Sequence, residues 1–281
     1  MGIKRGRTCF EVPNVHLEAW KSYQNDGFIG LDDIDLTFDE FRGVSCIAKR
    51  DYKVGDTIIK IPISSLHGLS HEIMESLWGK VLSAIDDPNF LPFLTQELLL
   101  WVGLVLERNI HSSYLVSLDG NGPIPEQWSP AELSFLSNTN LAKTCAASID
   151  RLKAQSECIR SVSLLGSSPG HEILRSISYE DLLWAKGVYL SRRYPGRFMG
   201  PRHATEAQCA RHCREVDLGS DKGLGCMVPV LDLFNHDATT DWLDLKIDPS
   251  RTYLLVMCGT AVKNGNELLS NYGALGNEVL L

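Results

Sequence analysis

No apolar run in this chain of 281 residues reaches the roughly eighteen residues that a membrane-crossing helix requires. The basic opening Met1-Gly2-Ile3-Lys4-Arg5-Gly6-Arg7 is not followed by the apolar stretch of a secretory signal. The N-myristoylation pattern is broken as well, because Gly6 stands where Ser or Thr is required. Positive charge is in short supply: 27 Lys and Arg against 35 Asp and Glu leave a formal charge of −8 and a pI near 5.5. A nucleic-acid surface needs clustered cations to neutralise phosphates, so that class of partner is excluded and a basic protein partner is favoured. The eight cysteines lack paired spacing, which fits reduced, mostly buried thiols better than a disulfide framework. These absences place the chain inside the cell and off the membrane, the cytoplasm being the simplest compartment and nucleus or plastid remaining open.

What is present is a chain 44% hydrophobic, enough for a core of one or two domains. Residues 15–23 read as a short amphipathic helix with Leu17 and Trp20 for burial, and residues 27–40 as an acidic loop. Two strands follow, at 41–48 and 57–62, joined by a turn containing Gly55. Residues 70–85 carry Ile73, Leu77, Val81 and Ile85 at helical spacing behind Ser70 as N-cap. A second helix starts near Pro92 and buries Leu94, Leu98, Trp101 and Val105. Ser129-Pro130-Ala131-Glu132 is a capping box, and Ser178-Tyr179-Glu180-Asp181 another with Asp in place of Glu, opening a helix with Leu182, Trp184, Val188 and Leu190. Between them lie a long helix at 141–162 and a linker at 166–170. Strands resume after Gly223.

His203, Cys209, His212 and Cys213 are zinc-ligand types, but their spacing matches no standard finger. They read as the polar face of a helix at 206–215, and no metal is expected.

The chemistry concentrates in two stretches. Met227-Val228-Pro229-Val230-Leu231-Asp232-Leu233-Phe234-Asn235-His236 is an apolar run that ends by presenting a carboxamide and an imidazole. Some thirty residues later comes Asn266-Glu267-Leu268-Leu269-Ser270-Asn271-Tyr272-Gly273. Singly, Asn235-His236 is a turn cap, Tyr272 a sheet aromatic and Arg192 a solvated cation at a helix end. In this order, with Trp128-Ser129-Pro130-Ala131-Glu132-Leu133 between the two strand-rich ends, the chain resembles the SET-domain methyltransferases of the Rubisco large-subunit methyltransferase type from about Val15 to Leu281.

That resemblance implies an α+β class: a split β-rich SET fold with a mostly helical insert. The divisions expected are an N-terminal helix and acidic loop at 1–40, the first part of the SET domain at 41–100, the insert at 101–222 and the second part at 223–281. It implies S-adenosyl-L-methionine as cofactor, bound by Arg42, Gly43, Val44 and Ser45, by Ser191 and Arg192, and by Asn235 and His236. Gly43 and Ala48 fit the family's Gly-x-Gly-Leu-x-Ala turn, while Ser45 replaces its second glycine. Tyr272 matches the catalytic Tyr, and Asp232, Arg192 and Tyr194 fall on the substrate side. The implied activity is protein-lysine N-methylation. Tyr194 favours lysine because lysine enzymes of the family have an aromatic residue two after the insert-helix Arg, whereas the actin-histidine type has Asn. Two alternatives stand beside it. One is a protein-histidine methyltransferase. The other is an inactive SET-fold interaction module, since the chain ends at Leu281, nine residues after Tyr272, before the family's second aromatic and C-terminal helical domain.

Overall fold

The computed structural model describes residues 11–40, 42–70, 73, 95–109, 112–118, 124–164, 169–202, 224–241 and 243–272. In chain order these form helix α1 (Asn14–Asn25), then strands β1 (Ile34–Asp39), β2 (Gly43–Ala48), β3 (Thr57–Pro62) and β4 (His67–Gly68). Helices α2 (Gln96–Asn109), α3 (Ser113–Ser117), α4 (Pro130–Leu133), α5 (Asn140–Ser163), α6 (Pro169–Arg175) and α7 (Tyr179–Arg192) follow. The remaining strands are β5 (Arg193–Tyr194), β6 (Cys226–Met227), β7 (Asn235–His236), β8 (Asp244–Ile247), β9 (Tyr253–Met257) and β10 (Leu269–Ser270). The expected α+β outline, strand-rich at both ends and helical between, is what is observed. The chain divides into two compact units, one of 1–66 with 228–275, the other of 67–227 with 276–281. Of the residues expected in the first SET part, the described ones at 67–70 and 95–100 fall in the second unit.

In the first unit, β1 and β2 form an antiparallel pair in which Ile34 faces Ala48 and Asp39 faces Gly43. A second sheet has the antiparallel order β3-β9-β8. Ile59, Ile61, Leu254 and Val256 are fully buried, with Lys60 exposed between the first two and Leu255 half-buried between the second two, the period-two pattern of a sheet with one face on the core; Ile58 is buried as well. Cys46, Leu231, Phe234 and Leu268 complete this core. At about 1.5–3 kcal/mol per fully buried large apolar side chain, it is what holds the two sequence-distant halves of the unit together.

The acidic segment expected as a loop contains a strand, β1, over its residues 34–39. Ile34, Leu36 and Phe38 alternate with Asp35, Thr37 and Asp39, so the carboxylates mark one face of a strand, not the absence of one. Helix α1 also buries a different face. Ala19 and Tyr23, four apart, go inside and Tyr23 packs on Phe28 with ring centroids 4.9 Å apart, while Leu17 remains 38% exposed.

In the second unit, α2 buries Leu98, Trp101 and Val105 as the spacing predicts, with Thr95 Oγ1 accepting from Leu98 N at 3.2 Å as its cap. The starting region near Pro92 and the helix at 74–85 lie outside the described residues. Ser70 Oγ does accept from Ile73 N at 3.2 Å. The long helix is α5, and the end of the expected linker, Pro169-Gly170, opens α6. Both capping boxes form. Leu190, expected inside, is 38% exposed. A short antiparallel sheet has the order β4-β6-β5. There Gly225 lies so close to β5 that a Cβ would sit 2.3 Å from the Tyr194 carbonyl oxygen, which only glycine permits. Gly225 N donates to Tyr189 Oη at 2.6 Å, and burial pushes that phenol up to about 12, so it stays protonated.

The N-terminus of α7 yields a stability test. Asp181 accepts from Ser178 N at 3.0 Å and from Ser178 Oγ at 2.8 Å, and pairs with Arg108, which lies 4.0 Å over the Trp184 ring. Burial raises the Asp181 pKa, but the bonds from Ser178 and Arg108 outweigh it and leave the carboxyl below its usual range. A depressed folded-state pKa adds stability that is present above the unfolded value and is lost as pH falls through the folded one. Asp181→Asn should therefore cost about 1–2 kcal/mol at neutral pH, with the gap to wild type closing in acid. Urea denaturation at neutral and acidic pH measures it, and a pH-independent gap would contradict the assignment.

Candidate functional site

The apolar run 227–236 turns sharply in the core of the first unit. Val230 takes φ 72° and ψ −46°, a backbone region costly for a β-branched residue, of order 1–3 kcal/mol. Val230 and its neighbours Val228 and Leu231 are completely buried, so surrounding packing enforces the turn. Val228 O accepts from Asp232 N at 3.3 Å, Val230 O from Leu233 N at 3.0 Å and Leu231 O from Phe234 N at 3.2 Å. This tight turn sends Phe234 into the core and releases Asn235 and His236 as β7, parallel to β10 with Asn235 opposite Leu269 and His236 opposite Ser270. Strain stored at such a position is characteristic of functional sites.

The segment before β10 is fixed on the edge of β2. Gly265 N donates to Ala48 O (2.8 Å), Ala48 N to Asn266 O (2.9 Å) and Leu268 N to Cys46 O (2.8 Å), which sets Glu267 opposite Ile47. The Glu267 side chain, only 6% exposed, then takes two donors: Arg42 Nη1 at 2.9 Å on Oε2 and Asn235 Nδ2 at 2.9 Å on Oε1. The second Asn235 amide hydrogen goes to Ser45 Oγ at 2.8 Å. With both hydrogens donated, Asn235 Oδ1 is the part of the carboxamide left to accept from a ligand.

The third group is built around His236 and Tyr272. Tyr272 N donates to His236 Nδ1 at 3.0 Å, which puts the imidazole hydrogen on Nε2, and the two rings lie 5.0 Å apart. Tyr272 Oη donates to the Phe234 carbonyl at 2.8 Å. Its oxygen therefore faces any ligand as an acceptor. Asn271 Nδ2 on Thr240 O (3.0 Å) and Asp237 N on Ser270 O (3.1 Å) secure the crossing.

At the β1–β2 turn, Gly43 has φ 74°, and a Cβ there would meet nothing within 4 Å. Glycine is kept for its backbone angle, and the space beside it is open. Ser45 carries no such strain: it sits in extended β2 between Val44 and Cys46, all three buried. Cys46 is not a nucleophile, because burial, with the carboxylates of Asp232 and Glu267 adding to it, pushes its thiol far up. A cavity of about 400 Å³ opens beside Glu267, lined by Ile47, Thr240, Thr260 and Leu268 among others.

Of the residues expected from sequence, the first unit brings Ser45, Asn235 and, through Glu267, Arg42 into one hydrogen-bonded chain, with His236 and Tyr272 joined to each other. Gly43 and Val44 flank it, and Asp232 lies half-buried in the turn that precedes it. Arg42 spends its guanidinium on Glu267. In the second unit, Ser191 Oγ donates back along α7 to the Gly187 carbonyl at 2.9 Å. Arg192 is the half-buried last residue of that helix, and Tyr194 is half-buried in β5 opposite Cys226. Sequence reasoning missed Glu267, although an acid beside a strand of Leu268 and Leu269 was a visible sign that something internal neutralises it. The cluster of His203, Cys209, His212 and Cys213 lies outside the described residues. Among the described residues no group of three or more His, Cys, Asp or Glu is placed to hold a metal, and no helix is long and apolar enough to cross a membrane.

No family model and no curated protein sequence matches the chain. Solved structures do match. The SET domain of LSMT bound to lysine and AdoHcy aligns with a TM-score of 0.71 at 20% identity, over 96% of this chain and 56% of that one. The same domain bound to methyl-lysine and AdoHcy gives 0.72 at 19% identity over 96% and 56%. Rubisco LSMT bound to sinefungin and monomethyllysine gives 0.69 at 20% identity over 95% and 54%. This chain therefore has the SET-domain fold, and it spans little more than half the length of these solved chains.

The buried acid at the centre of the site is directly testable. Glu267→Ala strips an acceptor from both Asn235 and Arg42 and should cost about 1–3 kcal/mol in urea denaturation, whereas Glu267→Gln, which keeps an acceptor for Asn235, should cost less. Equal midpoints for wild type and Glu267→Ala would show that the chain of bonds contributes nothing.

Proposed function

We propose that the protein is an S-adenosyl-L-methionine-dependent protein N-methyltransferase acting on a lysine amine. The observation that carries this reading is the pairing of Tyr272 Oη with the Phe234 carbonyl, directly beside Asn235 and His236, on a SET fold. The residues present suit the cofactor. Asn235 Oδ1 is an acceptor for an ammonium group, His236 Nε2–H is a donor, and the turn at half-buried Gly43 leaves open space where a Cβ would stand. When bound, S-adenosylmethionine supplies an electrophilic methyl group on a sulfonium. That methyl passes in line to the lone pair of a neutral amine, the C–N bond forming as the C–S bond breaks, so the protein's task is positioning.

Tyr272 is suited to that task. Its proton is committed to Phe234, and its lone pairs can receive the polarised C–H groups of the methyl and orient the amine. The incoming lysine must shed a proton, and burial next to a positive sulfonium lowers its pKa in the required direction. Tyr194 supports lysine over histidine. A ring face provides an apolar wall for a lysine's methylenes, whereas an imidazole acceptor requires a side-chain hydrogen bond to fix its tautomer. The substrate is accordingly a protein, and the chain's acidity favours a basic one.

Two outcomes are expected. Tyr272→Phe should lower turnover roughly 3–10-fold while cofactor affinity stays near wild type, because the hydroxyl acts on the methyl and nucleophile. Single-turnover kinetics beside equilibrium binding separates the two, and an unchanged rate would make Tyr272 a packing residue. Mass spectrometry of a proteome incubated with the protein and labelled cofactor should find methyl groups on lysine; methyl groups on histidine alone would refute the acceptor assignment.

A further inference from the structure

We infer that Ser45 is a positioning residue for the amino-acid end of the cofactor, an inference that rests on the function proposed above. Ser45 occupies the place of a glycine in the turn pattern that the sequence resembles, yet its backbone is extended, so the hydroxyl is there for a reason other than conformation. It is 5% exposed and its Oγ accepts one of the two Asn235 amide hydrogens at 2.8 Å. Glu267 takes the other at 2.9 Å. The Glu267 carboxylate, which can only accept, defines which way the carboxamide faces, since reversing it would press Oδ1 against a carboxylate oxygen, and Ser45 Oγ takes the remaining amide hydrogen and holds the group in that plane. Oδ1 is thereby left as the acceptor of the carboxamide, the polarity an ammonium requires. The Ser45 hydroxyl keeps its own hydrogen, because toward Asn235 it acts only as acceptor. That hydrogen is available to a carboxylate, the other charged group of an α-amino acid. Ser45 therefore favours ligands that carry an amino-acid end and is indifferent to the nucleoside.

The prediction separates two probes. S-adenosylhomocysteine contains the amino-acid end, and 5′-methylthioadenosine shares the thioadenosine but lacks it. Ser45→Ala and Ser45→Gly, each verified as folded by thermal unfolding, should bind S-adenosylhomocysteine about 3–10-fold more weakly than wild type and 5′-methylthioadenosine equally well. Ser45→Ala keeps strand propensity, so it stands as the test if glycine loosens β2. Equal affinity of wild type and Ser45→Ala for S-adenosylhomocysteine overturns the inference alone, and so does a parallel loss for both probes, which would mean a general packing role. A wild-type protein that binds neither probe overturns the proposed function and this inference with it.

Discussion

The Glu267 carboxylate is the interaction on which the first unit's chemistry depends. A nearly buried acid is costly unless donors surround it, and here the two donors come from two regions of the chain far from it in sequence. Arg42, 225 residues upstream, neutralises it from the β1–β2 turn, while Asn235 reaches it from β7 and ties in Ser45 on β2. None of these contacts is local in sequence. Each is possible only because β2 holds residues 265–268 along its edge, so the site is a consequence of strand pairing before it is a collection of side chains.

A second constraint acts through the main chain. The strained turn at Val230 costs energy that the buried neighbours Val228, Leu231 and Phe234 must offset. What it achieves is direction: a buried run ends in the turn at 231–234, and Asn235 and His236 then lie parallel to β10. The Phe234 carbonyl, left at the end of that turn, becomes the acceptor that orients Tyr272. Backbone strain and hydroxyl orientation are thus two ends of one arrangement.

Much of this was legible in the sequence because it is local. Capping boxes at Ser129 and Ser178 declare themselves within four residues, and the apolar spacing of α2 identifies its buried face. β1 resembles a loop in sequence because Asp35 and Asp39 stand at its polar alternate positions, where period two is a better sign than charge. The buried face of α1 differs from the one its larger residues Leu17 and Trp20 suggest, because burial follows from where Phe28 stands. The motif Asn235-His236 with Tyr272 is readable as a pattern and the acid at 267 is visible beside it, but the partners that give Glu267 its role are not, since they lie 32 and 225 residues away. Ser45 shows the same limit: from sequence it is a departure from a glycine pattern, and only the bond from Asn235 gives it a purpose.

The central claim is that this chain of bonds presents Asn235 to an S-adenosyl ligand. Isothermal titration of S-adenosylhomocysteine into the wild-type protein and into Asn235→Ala tests it most directly. Saturable binding to wild type, weakened in the variant by about 1–3 kcal/mol, is the predicted result; identical affinities, or no binding to wild type at all, would contradict it.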